Sequence, residues 1–98
     1  MTINHERHDD TLNVTIAGRL DTITAPQLET LLKRELGDAR HLLLDMTGVE
    51  YVSSAGLRVL LSAQKVMNRQ GSMVLRGVAE AVMDVFEITG FCDILTIE

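Results

Sequence analysis

Residues 11–45 read TLNVTIAGRLDTITAPQLETLLKRELGDARHLLLD, and the architecture follows from how the apolar residues repeat within them. Leu12, Val14 and Ile16 alternate with Asn13, Thr15 and Ala17, the period-two pattern of a half-buried strand. After Thr24 the period changes. Leu28, Leu31, Leu32 and Leu36 recur at helical spacing, and Pro26 falls in the first turn, where a missing N–H does no harm. Thr24 is the expected N-cap and Gly37 the expected stop. Leu42-Leu43-Leu44 then forms a short apolar run without alternation, which predicts a strand covered on both faces. The stretch is therefore a strand–helix–strand unit.

Outward from it, Thr2–Arg7 is a weaker strand and His8-Asp9-Asp10 a turn, together an opening hairpin. On the other side, Thr47-Gly48-Val49-Glu50 reads as a loop. A second helix runs from about Ser54 to Arg69 with Leu57, Leu60, Leu61, Gln64 and Met67 on one stripe, ending at Gly71. Met73-Val74-Leu75 predicts another strand. Val78, Val82, Val85 and Phe86 mark a third helix closed near Gly90, and Ile94, Leu95 and Ile97 a final strand. The order β-β-α-β-α-β-α-β predicts a single α/β domain over 1–98. Its sheet is mixed but mostly parallel, with an antiparallel opening strand and covering helices.

Composition removes several function classes. Nine Lys and Arg against 14 Asp and Glu give a net charge of −5, the wrong sign for nucleic acid or an anionic membrane surface. The aromatics are Tyr51, Phe86 and Phe91 alone, too few for base stacking. Cys92 is the single cysteine, so no internal disulfide forms, and apolar runs are far too short for membrane insertion. A soluble cytoplasmic domain is expected. Glycine-rich dinucleotide and phosphate loops and a nucleophile elbow are missing, and His5, His8 and His41 lack metal-ligand spacing. No cofactor, metal or catalytic residue is expected, and Met46, Met67, Met73 and Met83 read as core filler.

Val52-Ser53-Ser54-Ala55-Gly56-Leu57-Arg58 is the unusual segment. Ser53 or Ser54 can cap the second helix, yet neither has Glu or Gln three residues on to complete a capping box. Gly56 in the first turn costs about 1 kcal/mol of helix propensity relative to Ala and permits close approach of another backbone or a partner. The same helix start also suits a phosphoserine, because free N–H groups and the positive dipole end favour anionic charge. Gly18-Arg19-Leu20-Asp21-Thr22 ends the best-patterned strand. If that strand runs parallel to 42–45, Asp21 and the two serines share one rim, where open α/β sheets bind ligands. Asp21 and Thr22 also suit a simple turn.

These elements resemble the STAS domain, specifically the bacterial anti-sigma factor antagonists. The resemblance rests on Gly18–Asp21, Leu42–Asp45, Tyr51–Leu57, Gln70-Gly71-Ser72 and Phe86–Gly90, and it spans the chain. It implies a phosphorylation-controlled binding switch and not an enzyme. Unmodified antagonist would bind an anti-sigma factor, a serine kinase of histidine-kinase-like ATPase fold, and so release a sigma factor; a serine phosphatase would reset the switch. Matching the family motif places the acceptor at Ser54, with Ser53 as rival, and Asp21 beside it. Asp21, Thr22, Ser53, Ser54, Gly56, Leu57 and Arg58 would form the partner contact, with Leu57 and Arg58 on the exposed helix start. Ser53 stands where many members carry Asp, Ala55 replaces a hydroxyl residue, and no further helix follows the last strand. The resemblance leaves an alternative, an accessory subunit of an ABC lipid-transport system bound to its ATPase. An enzyme built on Ser54 and Asp21 would lack a base paired to the serine.

Overall fold

The structure, a computed structural model, describes all residues 1–98. The chain forms β1 (Thr2–His8), β2 (Thr11–Leu20), α1 (Ala25–Glu35), β3 (His41–Val52), α2 (Ser54–Gln70), β4 (Ser72–Arg76) and α3 (Glu80–Thr89). A single 3-10 turn, Phe91–Asp93, follows. The sheet order is β1-β2-β3-β4, with β1 antiparallel to β2 and the other pairs parallel. Asp9, at φ 54°, makes the tight hairpin turn; Asp tolerates that left-handed conformation because its side chain can bond locally.

Every strand residue in the core lies on one face of the sheet. Leu12, Val14 and Ile16 of β2, Leu42, Leu44 and Met46 of β3, and Met73 and Leu75 of β4 pack against Leu28, Leu32, Leu60, Met67, Val82 and Phe86 from the helices. The opposite face stays open: Leu43 and Val74 are half-buried and Thr15 is exposed. The expectation that 42–44 is covered on both faces is therefore wrong. Both crossovers between sequentially adjacent parallel strands lie on the same side, as a shared right-handed connection requires.

Residues 47–50 are strand and not loop. Buried positions on β3 run Leu42, Leu44, Met46, Val49 and Val52, so the spacing widens from two to three. Each widening is one extra residue against β2, between the pairs Thr15–Asp45 and Ala17–Gly48 and again between Gly18–Val49 and Arg19–Tyr51. These are β-bulges, which keep apolar side chains inward while the strand bends. Gly48 fits the first because a Cβ there would come within 2.7 Å of the Ala17 Cβ.

The expected last strand shrinks to one parallel bridge, Leu75 to Ile97. Leu75 N–H donates to Thr96 O at 2.9 Å and Glu98 N–H to Leu75 O at 2.9 Å. The chain winds into the 3-10 turn right after Gly90, in the left-handed region at φ 80°, which leaves too few residues for a ladder.

Candidate functional site

The ends of β2 and β3 build one rim. Leu20 pairs with Val52, the last residue of each strand, and Ser53 N–H donates to Leu20 O at 2.9 Å. Asp21 and Ser53 thus leave adjacent strands side by side, as the parallel arrangement predicts. Gly56 seats the start of α2 on this edge. A Cβ there would lie 2.8 Å from Leu20 O and 3.0 Å from Val52 Cγ1, so the glycine is needed for close backbone packing.

The two serines do different things. Ser53 has an extended backbone (φ −88°, ψ 176°) and is the N-cap of α2; its Oγ accepts from Gly56 N–H at 3.3 Å. Leu57 N–H donates to Ser53 O at 2.9 Å. Ser54 begins the helix with its side chain exposed and no hydrogen-bond partner on the protein. The capping role belongs to Ser53, and Ser54 is left free.

Asp21 organises the other half of the rim. One carboxylate oxygen accepts the N–H groups of Ile23 at 3.0 Å and Thr24 at 3.1 Å. The Thr24 hydroxyl accepts Asp21 N–H at 2.8 Å, and its own proton faces two acceptors, Arg19 O at 2.6 Å and the Asp21 carboxylate at 3.1 Å. Thr24 therefore stands at the α1 N-cap position without capping the helix through its side chain. The Thr24 N–H bond, followed by the Thr24 hydroxyl, Ile23 N–H and the Arg19 charge, holds the Asp21 carboxyl below its ordinary value, against some desolvation. Asp21 is ionised at neutral pH. Its folded pKa being lowered, its contribution to stability is full above the unfolded value near 3.8 and is lost as pH falls through the lower folded one. Asp21→Asn is expected to flatten the acid limb of a stability–pH curve, read by urea midpoints between pH 7 and pH 3; an unchanged limb would refute the assignment.

The rim also exposes residues that sequence periodicity did not flag. Ile23 is 80% exposed and Tyr51 41%. Arg19 links them to the acid: its guanidinium lies 4.1 Å from the Tyr51 ring centroid, and its Nε 3.7 Å from the Asp21 carboxylate. Ile23 belongs to neither the strand alternation nor the helical stripe, and that misfit was its only signal. Thr22 and Arg58 are exposed as expected, but Leu57 is only 8% exposed and Gly56 is buried. Leu57 faces the core because its helical position matches Leu60, so it supports the rim from beneath. A groove of about 370 Å³ lies elsewhere, between α1 and α2, lined by Leu32, Leu36, Val59, Ala63 and Val66 among others. No residue of the rim enters it.

The rim offers a capped helix start, a free serine and an ionised carboxylate. No group of three or more His, Cys, Asp or Glu side chains is arranged to hold a metal, and no helix is long and apolar enough to cross a membrane. The STAS domain family model matches residues 2–98. The chain belongs to the STAS family. This STAS domain is 36% identical over 95 residues to the anti-sigma-B factor antagonist of Listeria monocytogenes, covering 95% of this chain and 83% of that one. It is 30% identical over 98 residues to the anti-sigma-B factor antagonist of Bacillus subtilis, covering 99% and 90%. The crystal structure of an anti-sigma factor antagonist from Mycobacterium paratuberculosis superimposes with a TM-score of 0.87 at 25% identity, covering 98% of this chain and 83% of that one.

Proposed function

We propose that this STAS domain is an anti-sigma factor antagonist, a binding protein and not a catalyst, whose affinity is switched by phosphorylation of Ser54. The supporting observation is the division of labour at the α2 start: Ser53 Oγ is engaged as the cap and Ser54 stands exposed. The names of the curated relatives favour an anti-sigma factor as partner over the ATPase of a lipid transporter. In this reading the partner is a serine kinase of histidine-kinase-like ATPase fold, and a serine phosphatase reverses the modification.

The mechanism is placement of charge. Unmodified Ser54 is small and neutral, so the rim of Asp21, Thr22, Ile23, Tyr51 and Arg58 can meet a partner surface. A phosphate adds about −1.5 to −2 charges on the first turn of α2, on the same rim as Asp21, which is already ionised. Docking would then have to desolvate both anions. The α2 backbone need not move, because a phosphate on the first turn is compatible with the helix dipole.

Site-mapped mass spectrometry of the protein from its native cells, run beside Ser54→Ala, tests this. Phosphate on Ser54, and its loss in a variant that still binds the anti-sigma factor, is the expected result. Undiminished phosphate in Ser54→Ala would shift the acceptor to Ser53. No phosphate under any growth condition would sink the switch.

A further inference from the structure

Arg58 stands four residues beyond Ser54 on α2, exposed, with no ion pair, side-chain hydrogen bond or ring contact. Helix Cα–Cβ bonds tilt toward the N-terminus, so the side chain of residue 58 lies back over the turn that carries residue 54. The two positions are about 6 Å apart along the axis, within reach of an extended guanidinium. The first turn of α2 contains no acidic residue, and the N–H groups of Ser54 and Ala55 have no protein partner. Arg19, on the adjoining strand end, is occupied by Asp21 and Tyr51. Arg58 is thus an unpaired cation near the positive end of a helix, a mildly unfavourable place for it. An anion at position 54 reverses that sign, and acid before base at i,i+4 is the favourable order.

We infer that Arg58 is the positioning residue for a phosphate on Ser54. It holds the group against α2 by a charge-assisted pair and fixes it on the rim. The inference rests on the reading that Ser54 is the residue modified. Arg58 and the free Ser54 and Ala55 N–H groups favour the dianion, while the Asp21 and Glu50 carboxylates, also toward this edge, oppose it. Pairing turns a mobile charge into an oriented one that meets a docking partner in one place. It also ties the phosphate into the fold, so that modification stabilises the domain it switches.

The test uses the full chain with phosphoserine installed at position 54 by genetic-code expansion, titrated by phosphorus NMR. Arg58→Gln is expected to raise the second phosphate pKa by about half a unit, about a threefold gain in proton affinity; Arg58→Lys should recover most of the difference. Arg69→Gln, at the far end of the same helix, should leave the titration unchanged. Phosphorylation should also raise the thermal midpoint more in the parent than in Arg58→Gln. Equal titration of the parent and Arg58→Gln would overturn the pairing, as would an equal shift from Arg69→Gln. Because the phosphate is installed, the outcome is independent of what cells do. A shifted titration with no phosphate on Ser54 in native cells would leave the pairing intact and remove the switch.

Discussion

Ser54→Asp is expected to weaken binding of the anti-sigma factor by about 100-fold, or about 2.7 kcal/mol, with the fold unchanged. The side chain is exposed at the first position of α2 and contributes no hydrogen bond to the protein, so its replacement leaves no buried group unsatisfied. A carboxylate there is mildly favourable with the helix dipole, by about 0.3–1 kcal/mol. The cost appears on docking, where the new charge and Asp21 must both lose water on the same rim. Aspartate carries less charge than phosphate, so the modified protein should bind more weakly still. Calorimetry of the purified variant decides this: binding as tight as the parent, with an unchanged circular-dichroism melt, would remove charge placement as the mechanism.

The largest effect on stability is expected at Gly71, well away from the rim. Gly71 ends α2, its N–H donating to Met67 O at 2.7 Å, and the next residue enters β4 with Ser72 N–H donating to Arg40 O at 2.8 Å. Its φ of 171° is extended backbone open to any residue, so the constraint is space and not conformation. A Cβ at this position would overlap the Arg40 carbonyl. That carbonyl cannot easily retreat, because Arg40 N–H and His41 N–H both donate to Asp10 O, at 2.8 and 3.1 Å. Gly71→Ala would push apart the α2 end, the β3 entry and the hairpin turn together. A loss of about 3 kcal/mol is expected, at the upper end for overpacking and a large share of a small domain's 5–15 kcal/mol. Gly90→Ala is the comparison: a Cβ meets nothing within 4 Å there, and only the positive φ of 80° opposes it, a cost of about 1 kcal/mol. Urea unfolding of both variants measures the contrast, and equal losses would contradict the steric account.

The order of elements, the starts of α1 and α2 and the stops at Gly37 and Gly90 were legible because each depends on local chemistry; α3 begins at Glu80, beyond the Val78 that the periodicity included. A period of apolar residues, a residue with the right turn geometry, and a proline in a first turn act within a few positions of themselves. The serine pair and Asp21 were legible for the same reason: both stand at junctions where the period changes, and parallel strands carry such junctions to one edge. Which serine caps and which is free was not legible, since either satisfies the local pattern. That was fixed by Ser53 N–H bonding to Leu20 O and Gly56 packing on the end of β2.

Other features had no local signature. The continuation of β3 through Thr47–Glu50 depends on register against β2, and the bulges show only as a spacing of three between Met46, Val49 and Val52. Leu43 repeats the chemistry of Leu42 and Leu44, so nothing in the run shows that one sheet face stays open. Ile23 is exposed because Asp21 and Thr24 lock its turn outward, and Leu57 is buried because α2 lies flat on the strand ends. Sequence by itself determined the periods, the junctions and the residues able to do chemistry at them. Tertiary structure alone decided which of those residues face solvent, because burial depends on contacts between segments far apart in the chain.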